Sequence, residues 1–83
     1  MPPHVRHPKT FEPRPPESVS DHVHEGAEFI FVLQGELGVH YADEETILRT
    51  GDSVYFDASQ PHGYRSSGAD PAKAIIITTP PRL

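Results

Sequence analysis

The stretch His22-Val23-His24-Glu25-Gly26-Ala27-Glu28-Phe29-Ile30-Phe31-Val32-Leu33-Gln34-Gly35 decides how the rest of this chain is read. Residues 28–33 are aromatic, β-branched and too few for a helix, and Gln34-Gly35 is a turn signal, so the segment reads as a strand entering a hairpin. Side chains alternate along a strand, which puts Glu28, Ile30 and Val32 on one face and Phe29, Phe31 and Leu33 on the other. A carboxylate on an inward face made of Ile and Val is a buried charge that costs several kcal/mol unless it is partnered, and a divalent cation is a natural partner. His22 and His24 share the parity of Glu28 and point the same way if the strand runs through them without a bulge. The second face, Phe29, Phe31 and Leu33, needs cover from another layer or another subunit, and a homodimer is the economical answer.

The same pattern continues downstream. Residues 36–41 form the return strand, with Leu37, Val39 and Tyr41 on one face and His40 on the polar one, and residues 42–45 make the next turn. Residues 46–48 form a short strand, Arg49-Thr50-Gly51-Asp52 a turn that Asp52 caps through its side chain, and residues 53–56 another strand. A polar loop closes at Pro61, His62 opens the strand after it, and residues 73–79, with Ile75, Ile76 and Ile77 in succession, form a buried strand. Many short strands, turns every eight to twelve residues and no helical periodicity make the chain all-β, a sandwich or barrel. His62 can therefore reach the face that carries Glu28 from a neighbouring strand. Imidazoles and one carboxylate on a concave wall suit a first-row divalent ion and leave coordination positions open.

At 83 residues the chain has room for one domain with a small core, burying about 60–65% of the surface its unfolded form exposes. It has no cysteine, which rules out disulfides and thiolate metal sites and leaves an ion or oligomerisation as the available staple. The net charge of −5 with scattered Lys and Arg argues against a nucleic-acid surface. No apolar run approaches membrane-spanning length or a secretory signal, so the expectation is a cytoplasmic protein with no membrane partner. Six of the ten prolines fall in the first sixteen residues, marking residues 1–18 as an extended arm or edge strand ahead of a domain at 19–83. His4 and His7 belong to that arm and are expected to be solvated. Tyr55, Phe56 and Tyr64 either line a pocket or pack in the core. The serines have no arrangement that would make one a nucleophile.

These residues resemble the cupins, which are jelly-roll barrels, also described as double-stranded β-helices, with two metal-binding motifs. In the first, a glycine and five residues precede His-x-His, three or four residues, Glu, six residues and Gly. His22, His24, Glu28 and Gly35 fit it, with Pro16 where the leading glycine belongs. The second runs glycine, five residues, Pro-x-Gly, two residues, His, three residues, Asn. Gly51 and His62 fit in register, while Asp57, Ser59 and Ser66 replace the proline, glycine and asparagine. The resemblance covers residues 20–79 and implies one divalent transition ion (Fe, Mn, Ni, Co, Cu or Zn) held by His22, His24, Glu28 and His62. Residues 51–62 and 70–74 further resemble the effector-binding half of bacterial regulators that carry a helix-turn-helix domain in front, so the chain is expected to be either a free-standing relative or such a half.

Two functions follow from that ligand set. One is a binding module that presents the ion to a small anionic ligand, since an ion of charge +2 beside Glu28 leaves a positive centre in an apolar pocket. The alternative is a mononuclear non-haem enzyme, a dioxygenase or an isomerase. Isomerase chemistry needs a further acid or base, for which Tyr64, on the face of His62, is the nearest candidate. The third reading, a metal-free barrel, requires Glu28 to find a basic partner; one such arrangement is a polar cluster in which Glu28 pairs with Arg65 or Arg49 and the histidines cap loops.

Overall fold

A computed structural model describes residues 4–5 and 8–79; His7 and the terminal prolines lie outside the described residues. The chain order is β1 (His4–Val5), β2 (Lys9–Phe11), a 3-10 turn (Pro16–Ser18), β3 (Ala27–Gln34), β4 (Glu36–Tyr41), β5 (Glu44–Arg49), β6 (Ser53–Asp57), β7 (His62–Ser66) and β8 (Ala72–Thr79). A five-stranded sheet has the order β1-β8-β3-β6 with β2 also on β8, and a three-stranded sheet has the order β5-β4-β7. Every strand pairing is antiparallel. The two sheets face each other as a jelly-roll barrel.

The period-two pattern sets which side chains fill the space between them. On β3, Ile30 stands opposite Val54 of β6 and Ile76 of β8, and Val32 opposite Ala74; Ile30 and Val32 are fully buried. From the other sheet Leu37 stands opposite Leu48, and Val39 opposite Tyr64. Ile30, Val32, Leu37, Val39, Leu48, Phe56, Ala72, Ala74 and Ile76 make one core cluster. Glu28 is opposite Phe56 and Thr78, and His62 is opposite Tyr41. The polar residues of interest thus occupy inward positions at one end of this core, one on each sheet.

The turns follow from backbone chemistry. Gly35 (φ +84) joins β3 to β4, and a Cβ there would meet Ala72 and Pro71 backbone atoms at 3.2–3.3 Å. Ala42 (φ 48) and Asp43 (φ 70) form the left-handed pair of a two-residue hairpin, whose twist suits antiparallel strands. Asp52 accepts from the Arg49 amide at 2.9 Å, the capping role its position suggests. On the outside of β4, Arg65 and Glu45 pair side by side at 2.6 and 2.8 Å across Gly38, whose missing Cβ would lie 2.8 Å from Glu45 Oε2.

The proline-rich segment is built into the sheet edge. Lys9–Phe11 pair with residues 72–74 of β8. Beyond them, Pro13 bridges Ser66, the Ser66 amide donates to the Glu12 carbonyl at 3.1 Å, and Arg65 donates to the Arg14 carbonyl at 3.1 Å. Residues 9–14 consequently cross from one sheet to the other over the barrel mouth.

Candidate metal centre

Glu28 is 4% exposed, so its charge needs a partner inside the barrel. The arginines that sequence reasoning offered are engaged elsewhere, Arg65 with Glu45 and Arg49 with Glu36 at 3.6 Å. Glu28 Oε2 instead lies 2.7 Å from His24 Nε2 and 3.5 Å from His62 Nε2, and Oε1 accepts a short hydrogen bond from the Tyr64 hydroxyl. Neither Arg49 nor Arg65 pairs with Glu28, whose partners are His24, His62 and Tyr64.

The other nitrogen of each imidazole identifies the tautomer. His24 Nδ1 lies 3.1 Å from the Glu25 carbonyl and His62 Nδ1 2.8 Å from the Gln60 carbonyl. A carbonyl only accepts, so Nδ1–H donates in both rings and, in the neutral form, Nε2 turns a lone pair inward. The Nε2 atoms of His24 and His62 and a Glu28 carboxylate oxygen therefore converge, all within 4.8 Å of one another. A positive charge among these atoms holds them together, either a proton on Nε2, as in the 2.7 Å His24–Glu28 contact, or a divalent transition ion, which this donor set fits. Metal-bound histidines ordinarily have their outer nitrogen fixed in this way.

Local structure explains the convergence. Asp57 accepts from the Ser59 amide at 2.9 Å, a contact that holds its carboxyl below the usual range and shapes the loop in which Asp57 and Ser59 replace the cupin proline and glycine. That loop clamps the ligand segment: the His24 amide donates to the Ala58 carbonyl at 3.1 Å and the Ala58 amide to Gly26 at 3.0 Å. His62, 1% exposed, is packed edge-on by Phe56 and His24, with ring centroids 5.2 and 5.1 Å apart. Tyr64 is half-buried, and both burial and the neighbouring Glu28 carboxylate push its phenol far above the ordinary value, so it remains a proton donor to Glu28.

His22 differs from the expectation of one uninterrupted strand. β3 begins at Ala27, and Gly26, at φ +99, turns the chain just before it, so the shared parity of 22, 24 and 28 does not carry through. His22 forms a backbone bridge with His62, at 2.7 and 3.0 Å. Its side chain is exposed on the wall of the same cavity, and its ring nitrogens fall outside the 4.8 Å group.

The centre lies in a cavity of about 520 Å³, a size suited to a small ligand. Lys9, Phe11 and Arg14 from the crossing segment line its mouth. Sequence reasoning passed over these three, although the alternation Lys9-Thr10-Phe11 was a signal that Lys9 and Phe11 share a face. His40, expected on a polar face, pairs with Asp21 at 3.0 Å away from the centre.

Comparison with known proteins agrees with this fold. (S)-2-Hydroxypropylphosphonic acid epoxidase of Streptomyces wedmorensis is 36% identical over 59 residues, 65% of this chain and 30% of that protein. The chain thus spans about a third of the length of this curated relative. Hydroxypropylphosphonic acid epoxidase (HppE) solved with Fe(II) and with Co(II), each in complex with substrate, superposes with a TM-score of 0.78 in both cases, at 28% and 27% identity, over 87% of this chain and 43% and 42% of those chains. The cupin domain of an XRE family transcriptional regulator from Enterobacter cloacae superposes with a TM-score of 0.76 at 28% identity, over 88% of this chain and 77% of that one. A family model described as a cupin domain matches residues 9–78, and this chain belongs to the cupin family.

Proposed function

We propose that this cupin holds one divalent transition ion, iron by preference, on His24, Glu28 and His62, and binds a small anionic ligand at the open coordination positions. The observation that carries the proposal is the convergence of two Nε2 atoms on one buried carboxylate oxygen. Two histidines and one carboxylate on one face of an ion is the donor set of non-haem Fe(II) centres, and it leaves adjacent positions for a chelating ligand. His22 is the fourth donor implied by the cupin pattern. In this reading it joins only by turning its exposed ring inward and adds less than the other three. HppE, with its Fe(II) and Co(II) forms and a hydroxyphosphonic acid in its name, supports a hydroxy acid as the ligand class.

The second reading, an Fe(II)-dependent oxidation of that ligand, is favoured by the same donor set. Bound iron would supply electrons to O₂ and Lewis acidity toward ligand oxygens, while Phe11, Tyr64 and Ile76 would shield the reacting end from water. Oxygen uptake by Fe(II)-loaded protein with 2-hydroxypropylphosphonate and related hydroxy acids separates the two. Uptake that depends on the hydroxy acid establishes the oxidase, and thermal stabilisation by the acid without uptake establishes the binding module. Absence of both overturns the assignment of ligand class.

A homodimer is also part of this reading. On the outer face of the five-stranded sheet, Phe29 stands opposite Tyr55 and Ile77, and Phe31 opposite Ile75. Tyr55 is 65% exposed, and an apolar face of this kind favours cover by a second copy.

A further inference from the structure

We propose that Lys9 and Arg14 form an oxyanion-recognition site at the cavity mouth, so that the ligand is a carboxylate- or phosphonate-headed molecule gripped by these cations at one end and by the ion at the other. This rests on the metal-centre reading above and goes beyond it in assigning the anionic end of the ligand to a separate site.

Placement is the first argument. The described cations other than Lys73 divide into two pairs: Arg49 and Arg65 bind carboxylates on the outside, whereas Lys9 and Arg14 line the cavity. With a divalent ion counted, Lys9, Arg14 and the ion bring four positive charges to the wall, against two negative ones from Glu12 and Glu28. The whole chain carries −5. An acidic protein that places two of its described cations on one concave surface, neither of them in a described ion pair, attracts anions there.

Rigidity is the second. Lys9 belongs to β2, hydrogen-bonded to β8, and the Arg14 carbonyl is pinned by Arg65, so both cations stand on fixed backbone rather than on a loose tail. A continuous wall joins them to the centre: Lys9 Nζ lies 5.9 Å from the Phe11 ring centroid, Phe11 packs edge-on to Tyr64 at 5.5 Å, and the Tyr64 hydroxyl donates to Glu28. Along this wall a short ligand meets cations at the mouth, rings in the middle and the ion at the base. The arginine fork matches two oxygens of a carboxylate or phosphonate, and the ammonium adds a point charge.

The test is calorimetric titration of Co(II)-loaded full chain with 2-hydroxypropylphosphonate, lactate and neutral 1,2-propanediol. Wild type should bind both acids and not the diol, and the preference between phosphonate and lactate identifies the head group. Lys9→Gln and Arg14→Gln should each weaken acid binding about ten- to hundredfold, while Co(II) affinity stays as in wild type. Lys73→Gln removes the same charge at a position facing away from the cavity and should change binding less than threefold. Wild-type binding of Co(II) and the acids with both cavity variants unchanged overturns the inference and leaves the metal centre standing. An equal loss in Lys73→Gln reduces the effect to net charge and also overturns it. Failure of wild type to bind Co(II) overturns the metal centre and this inference together, and is recognised before any acid is added.

Discussion

Replacing Tyr64 with Phe tests whether the hydrogen bond to Glu28 sets the strength of the centre. The phenol donates to Oε1, which leaves Oε2 as the oxygen that faces both histidines and would make Glu28 a one-oxygen ligand to a bound ion. Glu28 is 4% exposed, so water does not readily replace the lost donor. Phenylalanine keeps the ring that packs on Phe11 and His62, and the change is confined to one hydroxyl. A hydrogen bond to a buried charged group is worth about 1.5–3 kcal/mol, or about ten- to hundredfold in metal affinity, the range in which outer partners of metal ligands usually act. Co(II) competition against a chromophoric chelator, with circular dichroism to check folding, measures it directly. Because the phenol is pushed far above its ordinary value, the wild-type advantage should persist unchanged up to at least about pH 9, within the range where even an ordinary tyrosine keeps its proton. A folded Tyr64→Phe protein with Co(II) affinity within twofold of wild type refutes the reasoning.

Three other outcomes are expected. Gly63→Ala should lower stability by about 1–3 kcal/mol in denaturant unfolding, because the new Cβ would lie 2.5 Å from Val19 Cγ1 and 2.7 Å from the Ser20 carbonyl and would push the His22 segment off β7; an unchanged midpoint contradicts this. Arg65, chiefly by hydrogen bonding, lowers the pKa of Glu45, so the pair contributes stability above the ordinary glutamate range near about 4.3 and loses it as pH falls through the lowered value. Glu45→Gln should therefore be less stable than wild type by under about 1 kcal/mol at neutral pH and converge with it in acid, as followed by Tm; a gap that widens in acid contradicts the sign. Tyr55→Arg should shift a dimer to monomer in sedimentation velocity, and a variant with unaltered mass would remove the apolar sheet face as the interface.

The strand pattern was legible because a carboxylate among alternating Ile and Val announces its own face, and the structure buries Glu28, Ile30 and Val32 together while Phe29 and Phe31 point outward. Residues 36–41 were read with their observed bounds, since a hairpin between two turn signals leaves little freedom. Four parts of the site were less legible. Gly26 breaks the parity that would have put His22 beside His24, and a glycine in sequence does not say whether it will adopt positive φ. The loop after Phe56 keeps its shape by an Asp57-to-Ser59 turn, a substitute chemistry for proline and glycine that only the backbone geometry reveals. Lys9 and Arg14 seemed scattered because their approach to the centre depends on pairing between β2 and β8, across more than sixty residues of chain. Tyr64 was noticed for its shared face with His62, but its bond to Glu28 spans opposite sheets.

The most direct measurement is metal content and affinity of chelator-stripped, reloaded protein for wild type and for His22→Ala, His24→Ala, Glu28→Ala and His62→Ala. One ion per wild-type chain is expected, lost in the His24, Glu28 and His62 variants and retained with modestly weaker affinity in His22→Ala. A folded Glu28→Ala protein that still binds one ion with wild-type affinity would contradict the centre described above.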